Sequence, residues 1–313
     1  MRRLRLAYRD HDRAPVIFCI QEMGRRHYDV DVEVLFIKGT EEYEAALFDG
    51  SCDVIIEHLE YLYGEAAKGK KLALFMAPSR GGNLELVVPA RVAGPDDLKG
   101  GTMAVRTQGQ PHAVALWLKM MGLEKEVRTV LIHDKEVGRW GQWKKVASGE
   151  CAAAFMSPLY LPQALAAGLK VLPVPDIPIV GHYAQACLAQ FAAENSVLLT
   201  DYIKASIHAV CLMLYRRAEA LEIAAGEPMQ RMKIADRGEL ERQFDSIVKS
   251  LKPKPYPTPQ AIANTFEMAV LDYPGAKGLN PLSVWDLHWV KRLDDAGFID
   301  DLADHLAKPA RTA

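Results

Sequence analysis

Cysteine is scarce and shows no pairing pattern: Cys19, Cys52, Cys151, Cys187 and Cys211 are an odd number in 313 residues, with no CxxC spacing. That excludes a complete disulfide framework and leaves reduced, buried thiols as the expectation. No window approaches 18 consecutive apolar residues, so no membrane span is expected. The opening MRRLRLAYRD holds no apolar stretch ending in a small-residue cleavage site. Together with the thiols this sets a cytoplasmic expectation, or a periplasmic one if a signal peptide has been removed. Charge of one sign is also missing: 38 Lys and Arg balance 40 Asp and Glu, for a net charge of −2. Nucleic acid and an anionic membrane surface are therefore not expected partners. Three patterns are absent as well, namely G-x-G-x-x-G after a strand, histidine pairs at metal spacing, and G-x-S-x-G. Neither cofactor, metal nor serine nucleophile is expected.

What is present is an ordinary globular composition, 50% hydrophobic and 25% charged, long enough for one large domain or two of common size. Strands are expected at residues 4–8, 31–37, 52–56, 72–76 and 84–88, separated by helical patterns, which is the signature of an open parallel α/β sheet. A second α/β series follows, with strands at 102–106, 127–132, 152–155 and 171–174. HYAQACL at 182–188 reads as a strand returning to the first series. Helical periodicity dominates from residue 194 onward, in long patterns at 198–225, 239–249 and 283–296. KPKPYPTP at 252–259 is too rich in proline to be anything but a connector.

Residues 97–122 attract the first functional reading. A strand ending at Arg106 feeds a polar loop, Thr107, Gln108, Gly109 and Gln110, which opens into a helix at Pro111. Unpaired N–H groups and the positive dipole end there suit a carboxylate, sulfonate or phosphate. Ligands of open sheets bind beyond the carboxyl ends of the strands. Those ends carry Asp10 and Arg13, Glu57 and His58, Arg80 and Asn83, Arg106, and Ser157, with His182 at the returning crossover. Arg80 and Arg106 are suited to hold a carboxylate bidentately, against the plainer reading of a surface ion pair. His58, His112 and Asp10 are the candidates for moving a proton, against the plainer reading of structural histidines and a capping acid. Trp140 and Trp143 offer stacking faces for an aromatic ligand or, more simply, core packing.

The order of motifs resembles the type II periplasmic-binding-protein superfamily, in its nitrate, sulfonate and thiamine-precursor branch. FDGSCDVII at 48–56 stands where that branch has an LNSGSIDFG-like stretch, and DLKGGTMAV at 97–105 where it has a DLKGKKVA-like one. The resemblance covers residues 4–188. It implies an α/β, two-lobe type II periplasmic-binding-protein-like fold with a helical C-terminal extension, lobe 1 being 1–88 plus 189–313 and lobe 2 being 89–188. DHDR at 10–13 and PSR at 78–80 are further similar to the 4,5-dihydroxyphthalate decarboxylase group. The chain departs from that group at GGNLELVV, 81–88, and at RTQGQPH, 106–112. This second likeness implies a cytoplasmic, cofactor-independent lyase of decarboxylase or dehydratase type, holding an aromatic or cyclic carboxylate in the interlobe cleft. The alternative is a substrate-binding protein of an ABC-type uptake system, which captures a small anionic ligand without catalysis. Oligomeric state is not encoded in any of these features.

Overall fold

The computed structural model describes residues 1–9, 13–56, 60–82, 84–106, 111–234 and 236–308. Two compact units divide the chain: residues 1–80 with 180–313, and residues 81–179. The first begins with β1 (Arg2–Tyr8), α1 (Ala14–His27), β2 (Val30–Phe36), α2 (Thr40–Ala46), β3 (Val54–Ile56), α3 (Glu60–Ala67) and β4 (Leu72–Met76). The chain leaves it within β5 (Arg80–Gly82). The second unit contains β6 (Glu85–Pro89), β7 (Thr102–Arg106), α4 (Pro111–Met120), β8 (Arg128–Ile132), α5 (Asp134–Val137), α6 (Trp143–Ala147), β9 (Ala153–Met156), α7 (Leu161–Ala166) and β10 (Leu169–Leu172). Return is through β11 (Ile177–Val180) to β12 (Gln185–Leu188). Helices complete the first unit: α8 (Ala189–Glu194), α9 (Ser196–Tyr215), α10 (Arg217–Ala224), α11 (Glu227–Met232), α12 (Arg237–Ser250), α13 (Pro259–Asp272), α14 (His288–Asp295) and α15 (Phe298–Ala307).

The first unit is built on a five-stranded sheet ordered β2-β1-β3-β12-β4. Strand alternation sorts β1 cleanly: Leu4, Leu6 and Tyr8 face one core, shared with α1 and α9, and Ala7 faces the other, shared with α3 and α13. Both faces are thus apolar and covered. Leu6 lies opposite Val34 of β2 and Val54 of β3 in parallel register. Arg5 fixes that register, because its backbone N–H (2.7 Å) and its guanidinium (2.6 Å) both bond to the Asp53 carboxylate just before β3. A wholly parallel first series, the expectation from sequence, is corrected: β12 enters between β3 and β4 antiparallel to both. It arrives from the second unit at the carboxyl edge of its neighbours, so it can only run the opposite way. The strand expected at 84–88 also belongs elsewhere, as β6 of the second sheet, ordered β10-β6-β9-β7-β8. There β7 runs parallel to β8 and β9, while β6 runs antiparallel to β9 and β10.

Three long helical patterns are broken where the backbone turns. The 198–225 pattern splits at Arg216 (φ −127°, ψ 52°) into α9 and α10. Residues 137–147, whose spacing in the sequence also reads as helical, are interrupted by Gly138 (φ +87°) and Trp140 (φ +57°). The expected terminal helix at 283–296 becomes a short 3₁₀ turn, Pro281–Val284, followed by α14, and after Gly297 (φ +77°) the chain adds α15. Helix α9 is long and apolar enough to cross a membrane by length and composition alone. Most of its side chains, among them Tyr202, Ile203, Ala209 and Cys211, are instead buried in the core beneath α1. All five cysteines are buried and free, and burial pushes Cys19, Cys52 and Cys211 up to about 12. β5 and β11 pair as a two-stranded ribbon. Gly81, at φ +57°, allows this approach: a Cβ there would sit 2.4 Å from the Ile177 carbonyl oxygen.

One buried histidine gives the α1–α9 packing a pH dependence. The Tyr28 hydroxyl lies 3.1 Å from His208 Nδ1, and the His27 ring is 4.6 Å from the His208 ring. Burial, with smaller contributions from His27 and His305, pushes His208 down to about 4 from an ordinary 6.5. A lowered folded value means that the unfolded chain takes up the proton first as pH falls. The stabilisation from neutral His208 is therefore complete above about pH 6.5 and is lost as pH falls toward about 4. Melting temperature should drop through this window in the native chain, and the drop should be shallower in His208→Gln; equal slopes in the two proteins would remove the assignment.

Candidate functional site

The carboxyl edge of the first sheet gathers polar groups from segments far apart in sequence. Arg13 is the N-cap of α1, only 7% exposed, with its guanidinium 5.6 Å from the ring centroid of Tyr183. His182, partly buried, precedes Tyr183 in the turn before β12, so the start of α1 and the returning crossover meet. The Tyr8 hydroxyl at the end of β1 accepts a bond from Arg231 Nη1 (3.4 Å), and Arg231 also lies over Phe18 at 5.1 Å. Burial outweighs the nearby Arg231 and holds the Tyr8 hydroxyl above its ordinary value. Val180 N–H donates to Thr265 Oγ1 at 2.8 Å, tying the crossover to α13.

The proline-rich connector is held against the end of β4. Ala77 N–H donates to the Pro255 carbonyl (2.8 Å), Lys252 N–H donates to the Pro78 carbonyl (2.8 Å), and Ser79 forms an antiparallel bridge with Leu251. Ser79 and Leu251 turn inward and are buried, leaving the flanking Arg80 exposed and Lys252 half-buried on the other side. Lys254, the second lysine of the connector, is neutralised by Asp294 and Asp300, each at 2.9 Å. Arg80 and Lys252 have no such carboxylate among the described residues, and the Lys252 ammonium is lowered first by burial and then by the Arg80 charge. The Lys252 ammonium donates to the Tyr256 carbonyl, and among the described residues neither cation is offset by a carboxylate.

In the second unit Arg106, at the end of β7, is engaged with Asp134. Its Nε lies 3.0 and 2.9 Å from the two carboxylate oxygens and its Nη2 2.6 Å from one of them. Gln142 holds the carboxylate from the other side, its Nε2 donating to Asp134 Oδ1 and to the Ile132 carbonyl, both at 3.1 Å. Trp140 lies 4.7 Å beneath the guanidinium. Burial works to raise Asp134, but the bonds from Arg106 and Gln142 outweigh it and keep the carboxyl below its usual range. The Trp140 face expected to serve an aromatic ligand is thus occupied by Arg106, and Lys144 lies over Trp143 at 5.9 Å. Ser157 acts as a cap, its Oγ accepting from Leu159 N–H at 3.4 Å in the turn after β9. His112 is partly buried in the first turn of α4.

Asp10, Glu57, His58, Asn83, Thr107, Gln108, Gly109 and Gln110 lie outside the described residues. Among the described residues, no group of three or more His, Cys, Asp or Glu is placed to hold a metal ion. Sequence reading missed Lys252, Asp134 and Gln142. Asp134 opens α5 two residues after β8 ends at Ile132 and was open to the same reasoning as Arg106, whereas nothing local to KPKP separates Lys252 from Lys254. The geometry of the second unit makes a direct forecast: Asp134→Ala should cost about 1–3 kcal/mol by chemical denaturation, because it removes the carboxylate that the Arg106 guanidinium and the Gln142 amide share. Adding Arg106→Leu should cost less than the sum of the two single changes.

No protein-family profile and no curated protein matches the chain. Solved structures do. A protein described as a putative sulfonate ABC transporter component, the periplasmic sulfonate-binding protein of Methylobacillus flagellatus KT, superposes with a TM-score of 0.69 at 16% identity, covering 95% of this chain and 96% of that one. The periplasmic aliphatic sulphonate binding protein of Escherichia coli gives 0.66 at 16% identity, with 91% and 96% covered. A Candida albicans protein described as having the generic periplasmic binding protein fold gives 0.57 at 15% identity, with 94% and 95% covered. These likenesses and the two sheets described above agree on the architecture, and the chain has the type II periplasmic-binding-protein fold.

Proposed function

We propose that this protein captures a small organic anion, a sulfonate or carboxylate, as the ligand-binding component of an ABC-type uptake system, and releases it unchanged. The observation that carries the reading is the Arg80–Lys252 pair. Two cations fixed side by side by backbone bonds, with no carboxylate on either among the described residues, repel one another until an anion joins them. They sit at the carboxyl edge of an open α/β sheet, where such folds take their ligands. Sulfonate binding by the Methylobacillus and Escherichia proteins of the same fold supports the class of ligand, and favours capture over the lyase reading.

The test is a thermal-shift panel of alkanesulfonates, benzenesulfonate, benzoate and phthalate-like acids, followed by mass analysis of the recovered ligand. A true ligand at a hundred times its Kd should stabilise the native chain by about 2.7 kcal/mol. Arg80→Gln and Lys252→Gln should each lose most of that shift, and added salt should weaken it. Recovery of a decarboxylated or dehydrated product would overturn the reading in favour of the lyase.

A further inference from the structure

Gln185 is a buried group at this edge whose side-chain chemistry the fold itself does not use. It is the first residue of β12 and lies opposite Ile56 and Met76, the last residues of β3 and β4. Alternation along β12 turns it to the same side as Cys187, toward the core shared with α1 and α9, and its partner Ile56 faces that core too. Its side chain is 0% exposed, yet neither the amide nitrogen nor the amide oxygen has a hydrogen-bond partner. Ser79, 5% exposed and bridged to Leu251 of the same core, has a hydroxyl in the same condition. The β12–β4 register also shifts between Gln185 and Ala186, an irregularity of the kind that re-aims a side chain next to a site.

A buried amide without partners opposes folding, and a methionine of similar length would serve the core better. Such a group is accounted for if its partner arrives with the ligand. A carboxamide offers a donor and an acceptor, and a serine hydroxyl can play either part, so together they match an uncharged hydroxyl or carbonyl and carry no charge to attract an anion by themselves. We infer that Gln185, supported by Ser79, reads a neutral hydroxyl or carbonyl group on the captured anion; this rests on the anion-binding reading above and assigns the ligand to hydroxy- or oxo-substituted organic acids. Plain alkanesulfonates and inorganic anions lack the group that this pair would recognise.

Matched probes test it: 2-hydroxyethanesulfonate against ethanesulfonate, and 4-hydroxybenzoate against benzoate, each titrated calorimetrically into the full chain. The native protein should prefer the substituted member of at least one pair by tenfold or more, and Gln185→Met should bring that ratio within about threefold of unity, with Ser79→Ala reducing it in the same direction. Unliganded Gln185→Met should melt at or above the temperature of the native chain, since an orphaned amide has been removed. A lower melting temperature would overturn the inference by showing that the amide is already satisfied inside the fold, and so would an unchanged ratio in folded Gln185→Met. Binding without preference in the native chain would overturn the inference and leave the anion reading standing. Binding of no probe would count against the anion reading, and the melting temperature of unliganded Gln185→Met would still decide whether the amide awaits a partner.

Discussion

The larger unit depends on covering both faces of one sheet. Leu4, Leu6 and Tyr8 on one side of β1 and Ala7 on the other are all fully buried, and each cover pairs a helix close in sequence with one from the far C-terminal part of the chain. Helix α9 closes the first face together with α1, and α13 closes the second together with α3. Burying large aliphatic and aromatic side chains contributes roughly 1.5–3 kcal/mol each. Removing the C-terminal helices would therefore expose a core and not merely trim an appendage. The helical extension is part of the first unit's hydrophobic interior.

That constraint also builds the candidate site. The chain must run from α12 on one face to α13 on the other, and the connector that makes this crossing passes over the end of β4, where it bonds to Ala77 and Pro78. Lys252 is carried to Arg80 by that route. Other cations are already committed: Arg5 within β1 to Asp53, Arg106 at the end of β7 to Asp134, and Lys254 in the connector to Asp294 and Asp300. A guanidinium at a strand end is thus a weak sign of a ligand until its neighbours are known. Arg80 and Arg106 looked equivalent in sequence, and only the acid following β8 separates them.

How much could be read in advance follows from the range of each interaction. Strand positions in β1, β4, β7 and β8 were legible because alternation and aliphatic runs are local, and so were the returning β12 and the two-series α/β plan. Strand order was not, since pairing β12 between β3 and β4 is settled by where the crossover enters the sheet. The helix break at Arg216 was missed because the residue is neither glycine nor proline and the periodicity runs through it. Of the candidate site residues, Arg13, Arg80, Arg106, His112, Ser157 and His182 fall among the described residues. Their sequence neighbours gave no hint of Tyr183 beside Arg13 or of Lys252 beside Arg80, which are contacts made across more than 160 residues.

The buried thiols carry a consequence for how the molecule opens. Cys19 and Cys211 lie in the core between α1 and α9, Cys52 lies in the core on the opposite face, and Cys151 belongs to the second unit. Because only the thiolate reacts, and burial suppresses it at each of these positions, a thiol reagent meets a silent surface on the native protein. Each sulfur then becomes a clock for its own layer. The order in which the five are labelled records which unit, and which face of the first sheet, parts earliest from its packing.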